Sequence, residues 1–479
     1  MEEKIIYEKL GFRCGIECHQ QLETHKLFCD CPSLVNDPAK ADSLVKRSLR
    51  ASAGETGDVD VAATFEEAKK KEIEYEACFS SSCIVELDEE PPHDINKEAV
   101  DIALEVALLM NMKIVDEIQV MRKVVVDGSN VSAFQRTALV AIDGFIETSK
   151  GKVSIPVLFL EEEAAKKLRV TDESVRYRLD RLGVPLLEIA TGPDIKGAEH
   201  AKEVASIIGM ILRSTNKVKR GIGSIRQDVN VSIKGGSRVE IKGFQNLKSM
   251  PKVIDYEIKR QMQLIKQGKK IKKEVRKFNA DFSTSFLRPM PGASRLYPET
   301  DVYPIRITKE RIENIELPEL LTEKAMILER EHGLNFSLAQ EIAGRDIDFL
   351  SYVRRYDKIK PELIAQVLIE MPKEIKARFN LDINNIKNDD YDSILKKLNE
   401  GNIEREAVLD ILTKFAKGEK VDFSSFKKRD ISDLEKEIKR IVDENRDASF
   451  NAIMGEVMKK FRGKVDGKAV AGLINKLLK

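Results

Sequence analysis

The sequence predicts an α+β fold in three parts, on three observations. Up to about residue 308, short alternating strands such as "KVSIPVLFLE" and "SIRQDVNVSI" stand among amphipathic helices such as "KEAVDIALEVALLMNM" and "AEHAKEVASIIGMILRST". From about 309 the glycine and strand patterns fade, and "LPELLTEKAMILEREHG" and "KPELIAQVLIEMPKEI" show helical spacing with charged outer faces. Near 420, "KGEKVDFSSFKKRD" is polar and turn-rich, a linker to a last helical unit. The expected domains are a mixed-sheet domain over 1–308, an all-helical domain over 309–424 and a small helical tail over 425–479.

At 479 residues the chain exceeds one ordinary core, which agrees with that division. Lys and Arg (81) nearly balance Asp and Glu (80), so no global field draws nucleic acid, and any such contact must come from local patches. No apolar run is long enough to span a bilayer and no secretory leader pattern opens the sequence, so a cytoplasmic protein without a membrane is expected. All six cysteines lie before residue 84, unlike a secreted disulfide framework.

Taken in order, the first chemical element is "RCGIECHQQL", which alternates as a strand. Glu17 and His19 then share one face and Ile16 and Cys18 the other. A carboxylate beside an imidazole on a rigid strand is a divalent-metal half-site, although a lone pair of this kind is more often a solvent edge. Cys18 and His19 cannot form a nucleophile dyad, because strand neighbours face opposite ways. Cys29 and Cys31, with Cys78 and Cys83, offer zinc ligands in a looser spacing than the paired CxxC of zinc ribbons.

The next is "VLFLEEEAAKK", where Glu161 and Glu163 share a face and Glu162 takes the other; adjacent acids need a cation or an arginine nearby. Glu188 is a single acid inside the apolar strand "PLLEIA", where a metal, or an arginine such as Arg181, would have to balance it. In "SIRQDVNVSIKGGSRVEIKGF" a three-residue loop at 235–237 sets Ser232 against Glu240 and Asn230 against Lys242. That register gathers Asp228, Asn230, Glu240 and Lys242 on one polar platform suited to a nucleotide–metal complex. No Walker A loop, GxSxG elbow or amidase-type Ser–Lys signature is present, so the chain has no visible means of releasing ammonia from an amide.

Together these segments resemble the aminoacyl-tRNA-binding subunits of the tRNA-dependent amidotransferases. The resemblance lies in "GIECHQQLETHKLFCDCPS", "CIVELDEEPPHDIN", "FLEEEAAKK", "YRLDRLGVPLLEIATGPDI", "SIRQDVNVSI", "RVEIKG" and "FLRPMPGASRLYPETDVYP". "QQLET" and "RPMPG…YPETD" favour the archaeal E-type branch of that family, GatE, over the bacterial B-type branch, GatB. The resemblance implies a glutamine-synthetase-like cradle, a helical domain and a YqeY-like tail that grips tRNA. It implies ATP- and Mg²⁺-dependent conversion of Glu-tRNA(Gln) to Gln-tRNA(Gln) through a γ-glutamyl phosphate, with ammonia from an asparaginase-like, D-type amidotransferase subunit in a heteromer. His19, Glu161 and Glu188 match its magnesium ligands, with Glu17 beside them. Asp180, Arg226, Asp228, Asn230, Glu240 and Lys242 match positions around the nucleotide, and Glu299 and Asp301 would close the cradle.

One departure from that pattern is that only "NADFSTS" joins "EVRKF" to "FLRP", where the archaeal branch usually carries an insertion related to an aspartyl-tRNA synthetase domain. The alternatives are a B-type enzyme acting on Asp-tRNA or Glu-tRNA, a tRNA-binding protein that has kept the cradle but lost catalysis, and an independent ATP–carboxylate ligase. In the tail, residues 446–479 hold eight Lys or Arg against three Asp or Glu. That excess also suits a solvated amphipathic helix pair; the resemblance tips the choice and makes Lys459, Lys460, Arg462 and Lys464 the expected tRNA contacts.

Overall fold

The structure is a computed structural model. It describes residues 5–34, 41–50, 53, 57–290, 292, 296–345, 347–426, 431–445, 448–461 and 467–478. The chain divides into two compact units, Met1–Leu320 and Leu321–Lys479.

The first unit is built on a large mixed sheet. Its main strands are β1 (Arg13–Gln21), β2 (Val120–Val124), β3 (Phe134–Thr148), β4 (Gly151–Glu162), β5 (Pro185–Ala190), β6 (Ile225–Ser232), β7 (Val239–Phe244), β8 (Glu274–Phe278), β9 (Thr284–Pro289) and β10 (Leu296–Pro298), and a two-residue strand, Lys113–Ile114, pairs with β3 off their path. Their spatial order is β9-β8-β7-β6-β1-β5-β4-β3-β2-β10, which puts the first strand of the chain mid-sheet. Every pairing along it is antiparallel except β7 with β8, which run parallel and are joined by the helix Met250–Lys266. A smaller sheet joins Ser43–Arg47, Glu72–Ala77, Ser174–Arg178 and Lys166–Val170.

Alternation makes the large sheet two-faced. Along β1, Cys14, Ile16 and Cys18 are buried among the helices packed on that side, chiefly Ala198–Ser214. Cys18 is thus an apolar packing residue. Glu17 and His19 point to the other face, where the alternation requires them. The helix Lys97–Leu109 also covers the apolar face, and its first turn is capped by the Asn96 side chain, which accepts from the Ala99 N–H.

The β6–β7 hairpin departs from the expected register. Asn230 pairs with Glu240 and Val231 with Val239, two residues from the predicted alignment. The turn closes at Ile233–Gly236, with the Gly236 N–H bonded to the Ile233 carbonyl and Gly235 at φ +80°. A slip of two keeps every side chain on its face, so the polar platform survives. A bulge between Gln227 and Val229 then lets the Gly243 N–H reach Asp228 Oδ1 at 2.8 Å. Between β8 and β9 the chain turns back in five residues, with the Asn279 N–H bonded to the Ser283 carbonyl at 2.8 Å.

The first unit runs beyond residue 308 to include the helix Lys309–Glu313, whose Arg311 bonds Asp101. In the described residues of the second unit all regular structure is helical, with two hydrophobic clusters. One lies within residues 325–416 and the other within 438–474.

Candidate active site

Strand pairing assembles the polar face. On β1, Glu17 is aligned with Asp228 of β6 and His19 with Glu188 of β5. Glu161, at the end of β4, is aligned with Leu186 of β5, so it shares a face with Glu188 two residues on. These side chains, with Arg226, Glu240 and Lys242, line an open cavity of about 820 Å³.

The polar groups fall into three sets. In the first, His19 Nε2 lies 3.5 Å from Glu188 Oε2, and Lys123 of β2 bonds Glu161 and lies 3.5 Å from Glu188. Thr137 Oγ1 donates to Glu161 at 2.7 Å, and Gln135 Nε2 at 3.1 Å. Burial works to raise the Glu188 carboxyl, but Lys123 and His19 overcome it and hold it well below the usual range. Burial and the neighbouring Glu188 instead push Glu161 up. Arg181 does not serve Glu188; it donates to the carbonyls of Ala164 and Ala165.

In the second set, carboxylate oxygens of Glu17, Asp228 and Glu240 lie within 4.8 Å of one another. Lys242 bonds both Asp228 and Glu240. Asn230 Nδ2 donates to Glu17 Oε1 at 2.9 Å, while its own Oδ1 is buried without a partner. Burial, with Glu240 and Glu188 nearby, pushes the Glu17 carboxyl up to about 7. Three acids crowded on one lysine, with a spare amide oxygen beside them, form a hard-oxygen set that fits Mg²⁺.

In the third set, Arg226 grips buried Glu163 with two bonds of 2.8 Å, and Gln21 Nε2 adds a third at 3.0 Å. Burial opposes ionisation of Glu163, yet Arg226 lowers it to about 2 from an ordinary 4.5. A depressed acid contributes stability above its unfolded pKa, and that stability is lost as pH falls towards the folded value. Arg226→Met should therefore destabilise the fold by about 3 kcal/mol at pH 7. The gap from wild type should narrow steadily between pH 4.5 and pH 2. Urea melts at pH 7 and pH 3 check this; a gap that does not shrink would mean that Arg226 acts by packing alone.

Other expected residues lie elsewhere. Glu299 and Asp301 are not among the cavity-lining side chains; Arg122 bonds both, and Arg136 Nε donates to Glu299 at 2.8 Å. Asp180 is buried with Oδ2 unpartnered and also does not line the cavity. The ligand atoms of Cys29, Cys31 and Cys83 come together with Glu86, not with Cys78, within 4.8 Å. Cys29 Sγ donates to Glu86 Oε1 at 2.9 Å, and buried Lys26 stands 3.5 Å from the same carboxylate. In the tail, Lys459 and Lys460 make partner contacts with Glu456 and Glu437; Arg462 and Lys464 fall outside the described residues.

Sequence reasoning missed Lys123, which stands beside Arg122 on a short strand and which only the sheet order brings to Glu161 and Glu188. It also left Glu163 without a role, because its arginine lies 63 residues away.

Comparison with known proteins fixes the family. Residues 12–313 match the GatB/GatE catalytic domain and residues 348–478 match a GatB domain. The chain belongs to the GatB/GatE family. Members similar to it include the E subunits of the glutamyl-tRNA(Gln) amidotransferases of Methanocaldococcus jannaschii and Methanosarcina barkeri. They are each 36% identical, over 629 and 627 aligned positions. The E subunit of the Archaeoglobus fulgidus enzyme is 35% identical over 612 positions. In all three cases 99% of this chain is covered, with 100%, 99% and 99% of the respective relatives. Against the 479 residues here, the 629 positions of the first alignment show that this GatB/GatE member lacks at least 150 positions present in that relative. No helix among the described residues is long and apolar enough to cross a membrane.

Proposed function

We propose that this chain is the component of a tRNA-dependent amidotransferase that activates and amidates glutamate carried on tRNA. The carrying observation is that Glu17, His19, Glu188, Arg226 and Asp228, from three adjacent strands, converge with Glu161 and Lys242 on one cavity. A carboxylate is a poor electrophile until one of its oxygens becomes a phosphate leaving group. In this reading the glutamyl γ-carboxylate attacks the γ-phosphorus of ATP, ADP departs, and ammonia then displaces phosphate from the acyl phosphate.

The chain's own groups suit that sequence. Lys123 and Lys242 carry the positive charge that two approaching anions need, and the acids beside each lysine fix its position. His19 and Glu188 form one oxygen–nitrogen half-site for Mg²⁺ with Glu161, and Glu17, Asp228 and Glu240 form a second, all oxygen. Bound there, magnesium would screen the charge between phosphate and carboxylate. The arginine-locked pair Glu299 and Asp301 would hold β10 against β2 at the sheet margin. Cys29, Cys31 and Cys83 with Glu86 have the donor types of a four-coordinate structural zinc.

No amidase signature appears in the chain, so ammonia would come from an asparaginase-like, D-type component of a heteromer. The test is to mix the purified chain with Glu-tRNA(Gln), ATP and Mg²⁺, adding either an ammonium salt or an amide donor. Ammonium should yield Gln-tRNA, whereas glutamine or asparagine should yield none without the partner. Failure with ammonium would favour a binding protein without catalysis, and success with an amide would refute the need for a partner.

A further inference from the structure

The cavity has a positively charged margin that none of its catalytic sets uses. Glu240 of β7, Val275 of β8 and Arg288 of β9 form one cross-strand row, and both Glu240 and Arg288 line the cavity. The pairing begins at Val239 with Glu274, and continuing it one residue back would set Arg238, just before β7, beside Lys273, just before β8. Arg238 also lines the cavity and is exposed. From Lys273 the chain leads away through Lys272, Lys270 and Lys269, all exposed. Four residues of extended chain reach at most about 14 Å, so the backbone of all four lysines stays within about that distance of Lys273.

The charges are unbalanced. Between 266 and 277 the sequence holds seven Lys or Arg and a single acid, Glu274, in a chain whose net charge is only +1. Glu274 is already committed to Arg260 and Arg276. None of the four lysines makes an ion pair among the described residues, whereas exposed lysines elsewhere, such as Lys46, Lys69 and Lys373, do. Beyond β8, the hairpin tip adds exposed Phe282, with Lys252 Nζ 4.7 Å from its ring centroid.

We infer that Arg238, Arg288 and the lysines at 269, 270, 272 and 273 form a phosphate track for the arm of the tRNA that enters the cavity. This rests on the proposed function, which supplies the tRNA. Cations without protein partners, beginning at the cavity's edge and leading away from it, match a nucleic-acid backbone whose charged 3′ end lies inside. The acids inside the cavity would repel that backbone, so the track also keeps the stem outside and admits only the end. In a chain that lacks at least 150 positions present in its aligned relative, this ridge supplies contact area on the cradle itself.

The experiment uses the full chain carrying Lys269→Gln, Lys270→Gln, Lys272→Gln and Lys273→Gln together, and a second version with Arg at the same four positions. Binding of a fluorescently labelled, uncharged tRNA(Gln) transcript is followed by anisotropy at several salt concentrations. The Gln version should bind at least about tenfold more weakly near 0.1 M salt, and its log–log salt slope should be shallower by roughly two to four. The Arg version should keep wild-type affinity and slope. A Gln version with wild-type affinity and slope overturns the track, as does equal loss in both versions, which would mean shape rather than charge. Retained tRNA binding with loss of a protein partner would overturn it in favour of an acidic protein surface. A wild-type chain that binds no tRNA overturns both this inference and the proposed function.

Discussion

His19→Ala should lower ATP-dependent amidation of glutamyl-tRNA by at least about a thousandfold while tRNA affinity stays within about twofold. The imidazole sits on the central strand with Glu188 3.5 Å away, and only 15% of its side chain is exposed. Burial works against its protonation, but the Glu188 carboxylate outweighs burial and raises its pKa. Removing it takes one donor from the proposed Glu161–Glu188 half-site and one counter-charge from Glu188, so the loss should fall on the proposed phosphorylation step. The side chain faces the cavity rather than the helix-packed core, so the melting temperature should hardly move. Phosphate release from ATP, amino-acid analysis of the tRNA product and tRNA anisotropy separate the steps. If affinity for tRNA falls as far as turnover does, His19 is a structural residue and the chemistry lies elsewhere.

Lys242→Met should destabilise the metal-free protein by about 2–3 kcal/mol and increase its response to Mg²⁺. Burial opposes charging this lysine, but Asp228 and Glu240 hold its pKa far above the ordinary lysine range. Taking it away leaves Glu17, Asp228 and Glu240 within 4.8 Å of one another without their cation. Its side chain is 31% exposed, so solvent screens part of the penalty and the expected loss stays below that of a fully buried pair. Added Mg²⁺ should then raise the variant's melting temperature more than the wild type's, because the vacated cluster carries one more net negative charge. Equal shifts in the two proteins would show that no divalent ion uses this cluster.

Local pattern carried the β1 half of the site well. Alternation alone puts Glu17 and His19 on one face and Cys18 on the other, because a strand's period is a property of its own backbone. The partners of those residues depend on which strand lies next to which. Lys123 meets Glu161 and Glu188 only because β2, β3, β4 and β5 stand in that order, and no spacing rule encodes it. The hairpin register failed for a smaller reason: "KGGS" allows several turns, and Gly235 at positive φ selected the one starting at Ile233. Zinc reasoning from cysteine spacing chose Cys78, whereas the loop brings Glu86 to Cys29. A carboxylate among thiols has no cysteine count to announce it.

The mid-sheet position of β1 has a consequence for how the protein is made. The strand leaves the ribosome well before its neighbours β5 and β6, which begin at Pro185 and Ile225. At about 5–20 residues per second, both neighbours emerge only after roughly ten to forty seconds of further synthesis. Over that interval Cys14, Ile16, Cys18 and two unpaired strand edges await burial, and the shorter of the two loops that pair this strand spans some 170 residues. The nascent chain's period of greatest exposure therefore ends with the emergence of β6, the same strand that brings Asp228 to Glu17.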